Sequence, residues 1–471
     1  MIHDLAPYPV MKDSGVPWLG PVPEHWDVKS LGSLTTSRSE RNRPDLPLLS
    51  VVREKGVILR DRESKEENHN FIPDDLSNYK VVHEGDLVIN KMKAWQGSMG
   101  LAPQDGIVSP AYFVFDFAIE NRHYGQALLR SRPYVGFFAQ ASDGVRIGQW
   151  DLSITGMKRI PVMLPPPAEQ AAIVRFLDHA DRRIRKAIAA KQRLIKLLQE
   201  QKQVIIHQAV TRGLDPDVKL KPSGVEWLGD VPEHWGISRL KFESNRIVDC
   251  LHATPPYTDD GEFPAIRTAD IEPGKVRLAQ ARRLSKEHYE AWTSRYRPVA
   301  GDILYSREGE RFGIAATVPE NVGLCISQRM MVFNIKKSVS SQYLMWQINC
   351  RHVYLQAALD TIGSAAPHVN VERIKNFEIV LPSLNEQQAI VQHIEAETAK
   401  LDQAIARAQA EISLLREYRI RLIADVVTGK LDVRQAAARL PEPEQDTLPD
   451  ELNAGEGEGL EGEEELTGEE E

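Results

Sequence analysis

Cysteine is scarce in this chain of 471 residues, which carries only Cys250, Cys325 and Cys350. Three scattered thiols cannot build a disulfide framework. No Cys-x-x-Cys and no histidine pair at ligand spacing accompanies them. The sequence therefore reads as three buried free thiols and no metal site. Long apolar runs are missing as well. No stretch approaches the roughly 20 apolar residues of a membrane span, and Met1-Ile-His-Asp-Leu-Ala-Pro lacks the charged-then-apolar pattern of a signal. A cytoplasmic location is expected. Signatures of catalysis are wanting too: there is no Walker loop, no Gly-rich loop after a strand, and no Asp…Glu-x-Lys nuclease cluster.

The formal charge of −9 is unevenly spread. From Pro441 to Glu471 there are 14 acidic residues and no Lys or Arg, leaving 58 basic against 53 acidic residues elsewhere. Such a tail cannot bury enough apolar surface to fold, and an acidic disordered end is expected over 431–471. The remaining body is mildly basic, which permits nucleic-acid binding without demonstrating it.

What the chain does contain is a duplication. Ser14-Gly-Val-Pro-Trp-Leu-Gly-Pro-Val-Pro-Glu-His-Trp26 returns as Ser223-Gly-Val-Glu-Trp-Leu-Gly-Asp-Val-Pro-Glu-His-Trp235, 209 positions later. A closing phrase, Leu164-Pro-Pro-Pro-Ala-Glu-Gln-Ala-Ala-Ile-Val174, returns as Leu381-Pro-Ser-Leu-Asn-Glu-Gln-Gln-Ala-Ile-Val391, 217 positions later. A long repeat present only twice excludes a solenoid of short units. It implies a tandem pair of whole domains forming a pseudo-two-fold object, and such objects suit two-sided targets, bipartite DNA foremost.

Each repeat has two parts. The first is mixed α/β (α+β): Glu84-Gly85-Asp86 predicts a turn into a buried strand, as does Ala300-Gly301-Asp302. Ala111–Asp116 and Met330–Ile335 predict further strands by their aromatic and β-branched content. The second part predicts a long helix. No Gly or Pro interrupts the 39 residues from Glu169 to His207, a span of roughly 58 Å at about 1.5 Å per residue. Leu177, Asp181, Ile184, Ile188, Lys191, Ile195, Leu198, Lys202 and Ile205 follow alternating steps of four and three. Ile394, Thr398, Leu401, Ile405, Ala408, Ile412, Leu415, Arg419 and Leu422 repeat the pattern. This is a coiled-coil seam, interrupted locally at Asp181 and Lys191. Pro165–Pro167 and Pro382 bar helix before each start, and Gly213 and Gly429 sit where C-terminal caps belong. The expected architecture is a domain at 1–165, a helix at 166–213, a domain at 214–382 and a helix at 383–430. Packed as an antiparallel coiled coil, the helices would hold two DNA readers about one 34 Å turn apart.

These residues resemble the specificity subunit of type I restriction-modification systems, over about 14 to 431. The resemblance rests on the duplicated Trp-Leu-Gly-x-Val-Pro-Glu-His-Trp phrase, the duplicated Leu-Pro…Glu-Gln…Ile-Val helix start, and the two variable domains between them. Asn90-Lys-Met-Lys-Ala-Trp-Gln-Gly-Ser-Met-Gly100 and Gly301-Asp-Ile-Leu-Tyr-Ser-Arg-Glu-Gly309 also look like target-recognition segments of that family. The resemblance implies a non-catalytic subunit whose two target-recognition domains each read half of a split sequence in double-stranded DNA. It implies docking to two methyltransferase subunits and two motor-nuclease subunits. S-adenosylmethionine, ATP and Mg would belong to those partners, with no cofactor in this chain. Thr254-Pro-Pro-Tyr257 is similar to the Asn/Asp-Pro-Pro-Tyr motif of amino-methyltransferases, but Thr254 departs from it, and the segment reads as a turn.

DNA-contact candidates are loop residues whose side chains match base edges or phosphates. In the first domain they are Lys91, Lys93, Trp95, Gln96, Arg146, Gln149 and Trp150. In the second they are Ser306, Arg307, Arg311, Gln328, Arg329, His368 and Asn370. Trp18, Trp26, Trp227 and Trp235 read as anchors of the domain start rather than base-stacking platforms. Glu169, Gln170, Glu386 and Gln387 suit either a partner contact or the first turn of a helix, where carboxylates complement the dipole. Ile184, Ile188, Ile195, Leu198, Leu401, Ile405, Ile412 and Leu415 form the apolar seam. A coiled-coil interaction scaffold without DNA reading is the competing interpretation.

Overall fold

A computed structural model of the protein describes residues 5–16, 19–53, 55–60, 72–73, 75–146, 149–309, 311–358 and 369–442, without the side chains of 145, 146 and 149. The chain forms two compact units, Met1–Gln192 with Ala410–Glu471, and Arg193–Gln409. Each unit thus takes the first part of one long helix and the last part of the other.

The first unit is built on a four-stranded antiparallel sheet in the order Thr35–Ser37, Tyr112–Phe117, Leu87–Asn90, Met99–Leu101. The second repeats it as Ser244–Asp249, Met330–Ile335, Ile303–Ser306, Ala315–Thr317. In both, the central hairpin strand is a continuous apolar run because both its faces are covered. Leu87, Val88 and Ile89 are buried, as are Ile303, Leu304 and Tyr305. The Gly-Asp turn ahead of each strand does what its residues dictate. Gly85 and Gly301 take left-handed φ values of 81° and 86°. The buried carboxylate that follows ties the loop. Asp86 accepts from His83 N and Arg38 Nε, while Asp302 accepts from Val299 N, the Tyr296 hydroxyl and Asn334 Nδ2.

The first long helix spans Pro167–Arg212 and the second Leu384–Val427, 46 and 44 residues. Pro167 is the first helical residue rather than part of the barrier before it. At that position the missing N–H costs nothing and the fixed φ already matches the helix. Gly213 and Gly429 follow the last turns with φ of 76°. The 3–4 pattern marks the covered stripe. Ile184 is buried and Ile188, Ile195 and Leu198 are half-buried, while their outer neighbours are mostly exposed; Ile412 is buried and Leu401, Ile405 and Leu415 are half-buried. Polar seam positions are paired, not wasted. In the first unit Arg419 bonds Asp181 and Lys191 pairs with Glu411; in the second Lys202 pairs with Asp402 at 2.6 Å. In the first unit one partner's number rises as the other's falls, and in the second Gly213, beyond Lys202, lies near Glu386, before Asp402, so the helix segments run antiparallel within each unit. Ion pairs at scattered seam positions fix register more than they add stability.

The acidic tail begins later than expected. Residues from 431 onward include a helix at Arg434–Ala438, with Val433, Ala437 and Leu440 buried and Arg175 Nη2 donating to Leu440 O at 2.7 Å. The 3–4 spacing of those apolar residues folds them onto the first unit before the acidic composition takes over. Residues 443–471, where the disordered tail is expected, lie outside the described residues. Among the described residues no helix is long and apolar enough to cross a membrane.

Candidate nucleic-acid interface

In the first unit, strand Leu87–Asn90 ends in a tight loop. Asn90 Oδ1 accepts from Met92 N, and a 3-10 turn over Ala94–Gln96 closes on Gly97, whose φ is 88°. Burial of Ala94 anchors the loop, leaving Met92 and Lys93 exposed. Trp95 donates from Nε1 to Met92 O at 3.1 Å, and its ring lies 5.1 Å from that of Trp150, tilted by 59°. Lys91 Nζ pairs with Asp151 at 3.0 Å. The loop and the hairpin Ser142–Arg146/Gln149–Leu152 thus bring Lys91, Lys93, Trp95 and Trp150 onto one edge, with Gln96 half-buried beside them. The hairpin pairs the Arg146 and Gln149 backbones, while their side chains lie outside the described ones. An aromatic pair flanked by lysines can stack on a base or a sugar and hold a phosphate.

The matching edge of the second unit is wired differently. Ser306 and Arg307 read as surface groups in the sequence, yet both are buried. Arg307 lies between Asp249, at 3.1 Å from Nη1, and Glu308, at 2.7 Å from Nη2, and Ser306 Oγ has no hydrogen-bond partner among the described residues. A cation carried at the end of a central strand is pulled inward when two carboxylates share its fork. Arg329 is exposed, as are Arg311 and Asn370: its side chain is 61% accessible, its φ is +71°, and Nε lies 3.9 Å from Glu308. Gln328 Nε2 donates to Thr254 Oγ1 at 3.2 Å and its Oε1 is unpartnered among the described residues. Arg311 donates to the carbonyls of Thr268 and Ile271. Asn370 caps the helix Val371–Lys375, its side chain accepting from Glu372 N. His368 lies outside the described residues. Thr254–Tyr257 is an irregular stretch without a turn, and Tyr257 holds Ser327 and stacks under Arg282 at 5.0 Å. Asp249, Glu308 and Arg282 were not singled out in the sequence, because nothing local distinguishes a carboxylate that will orient an arginine.

The duplicated phrases meet in one junction per unit. Trp26 Nε1 donates to Glu169 Oε1 at 2.9 Å, the Tyr8 hydroxyl donates to the same oxygen, and His25 Nε2 lies 2.8 Å from Oε2. Burial, then the bond to Glu169, pushes the Tyr8 phenol upward, so it stays a donor. Gln170 donates to Pro165 O and accepts from Asn121 N. In the second unit Trp235 Nε1 donates to Glu386 at 3.0 Å, His234 stands 3.1 Å from it, and Gln387 donates to Pro382 O while accepting from Ser340 N. All four Glu-Gln side chains thus serve the helix start and its own unit. Trp26 and Trp235 are core anchors, at 0% and 1% exposed. Trp227 is half-buried and Trp18 lies outside the described residues. Each helix end closes the junction: a Cβ on Gly429 would fall 2.3 Å from Pro23 Cδ, and one on Gly213 would fall 3.2 Å from the Trp235 ring.

Comparisons with known proteins converge. The family model described as type I restriction modification DNA specificity domain matches residues 250–412. A candidate type I restriction enzyme MjaX specificity subunit of Methanocaldococcus jannaschii is 20% identical over 457 residues, covering 88% of this chain and 96% of that protein. The type I restriction enzyme EcoBI specificity subunit of Escherichia coli is 25% identical over 292 residues, 58% of this chain and 59% of that one. A chain solved in work on complex assembly and conformational transition of the type I R-M system shares the fold. Its TM-score is 0.60 at 17% identity, covering 87% of this chain and 99% of that one.

Proposed function

We infer that this chain, a type I restriction-modification specificity subunit by family, reads a bipartite sequence in double-stranded DNA, one half with each unit. The observation that carries the reading is that one sheet order occurs twice, and each copy ends at an edge bearing its own polar and aromatic groups. The two edges share a position in the fold and differ in chemistry: Lys91, Lys93, Trp95 and Trp150 on one, Arg329, Gln328 and Arg311 on the other. Two readers with different donors recognise two different half-sites. An arginine fork suits guanine O6/N7 and an amide suits adenine N6/N7.

The long helices set the spacing of the half-sites in this reading. The chain itself carries no catalytic step. Methyltransferase subunits supply S-adenosylmethionine chemistry, and motor-nuclease subunits supply ATP- and Mg-dependent cleavage. Leu197 and Leu414 hold equivalent positions of the two repeats and are 54% and 63% exposed. In this reading the two leucines, one in each unit, serve as apolar contacts for the methyltransferase.

Mapping of methylated sites in cells carrying this chain with a methyltransferase subunit tests the function. A split motif of two defined halves and a fixed spacer is expected. Methylation without a sequence preference traceable to this chain contradicts the reading and leaves the scaffold interpretation. The double substitution Leu197→Glu with Leu414→Glu is expected to abolish methyltransferase co-purification at an unchanged denaturation midpoint; full retention of the partner would remove these leucines from the docking surface.

A further inference from the structure

Three side chains with metal-binding chemistry converge in the second unit, and no step of DNA reading uses them. His207 stands near the end of the first long helix. Cys350 lies between the helices Ser341–Ile348 and Arg351–Ala358, and His352 stands on the latter. One ligand atom from each lies within 4.8 Å of the others. His207 is exposed, whereas Cys350 and His352 are each 1% exposed.

The second observation is the state of His352. Among the described residues neither of its ring nitrogens has a hydrogen-bond partner, although both are buried. An imidazole taken from water without replacement bonds is expensive, and buried polar groups are satisfied in the great majority of proteins. The His207 ring lies 6.0 Å away between centroids, tilted by 54°. Burial, and then His207, depresses His352 to about 3, so it stands as a neutral ring with a free lone pair. Burial pushes the Cys350 thiol up to about 12, so a cation bound there would displace its proton.

We propose that His207, Cys350 and His352 form a three-ligand zinc site that fastens the first long helix to the helix Arg351–Ala358. Two imidazoles and a thiolate match the nitrogen and sulfur preference of zinc. Bonds of about 2.0–2.3 Å place tetrahedral ligands roughly 3.5 Å apart, so the donors need to close by about 1 Å. On binding, the Cys350 S–H bond breaks, a zinc–sulfur bond forms and the proton leaves to solvent. The exposed side of His207 admits water as the fourth ligand. The Cys-x-His spacing and a histidine 143 residues upstream of the thiol conceal such a site from a sequence reading.

The test uses the untagged full chain, stripped with a chelator and titrated with Co2+ as the spectroscopic stand-in for Zn2+. One equivalent is expected to give a thiolate-to-cobalt charge-transfer band with intense tetrahedral d–d bands, both removed by adding Zn2+. Cys350→Ser is expected to abolish the charge-transfer band. His207→Ala, at an exposed position that leaves the core untouched, is expected to weaken cobalt binding at least tenfold while its melting temperature in chelator matches the parent's. No band from the parent protein overturns the proposal. So does a band that survives His207→Ala at full affinity, or one lost only in Cys250→Ser, which would move the cation to the separate cluster of Asp249, Cys250 and His252.

Discussion

Glu169 and Glu386 occupy the same place in the two repeats but not the same environment. Glu169 is buried and accepts from Tyr8 and Trp26, whereas the Glu386 side chain is 28% exposed and lacks the tyrosine. Glu169→Ala leaves an indole N–H and a phenol without their buried acceptor and is expected to cost about 3 kcal/mol in chemical denaturation. Glu386→Ala, with water at hand, is expected to cost about 1 kcal/mol. Equal losses would mean the junction is not what holds each unit on its helix. At the candidate interface, Arg329→Ala is expected to weaken binding by about 1–3 kcal/mol through the second half-site alone. A competition series with each half-site mutated in turn checks this; equal loss at both halves would place Arg329 on the general phosphate field. The anchoring role of Trp26 and Trp235 was legible because a large aromatic in a repeated phrase has packing as its default. The inward turn of Arg307 was not legible, since it depends on Asp249, which lies 58 positions away in sequence on a strand separated from that of Ser306 by Met330–Ile335.

Among the elements, the long helices were the most legible, because a 3–4 pattern over 39 residues has no other good structural outcome. Their polar interruptions gained meaning only from the fold, where Asp181 meets Arg419, Lys191 meets Glu411 and Lys202 meets Asp402. The sheets were legible as strands but not as an order, since pairing between distant strands leaves no local trace. The helix Arg434–Ala438 was hidden by the composition of the residues that follow it. If the helices act as a ruler, inserting four residues between Lys191 and Ile195 adds roughly 6 Å and turns the downstream seam by about 40°. Methylation-site mapping is expected to return the same half-sites with a longer spacer. An altered half-site with the old spacer contradicts the ruler.

At the scale of the whole molecule, the duplication is a statement about independence. Each unit has its own sheet, its own Trp–Glu junction and its own core, so its reading should not depend on the other's identity. A shared four-strand order with dissimilar edges would let one fold serve two half-sites, with Lys91, Lys93, Trp95 and Trp150 on one edge and Arg311, Gln328 and Arg329 on the other. The most direct measurement replaces Lys29–Ile160 with the matching segment of a related specificity subunit and maps the methylated sites in the presence of the methyltransferase. The account predicts that one half-site changes to the donor's while the other half and the spacer stay as they were. A change in both halves would contradict it, because the two units would then be reading DNA jointly.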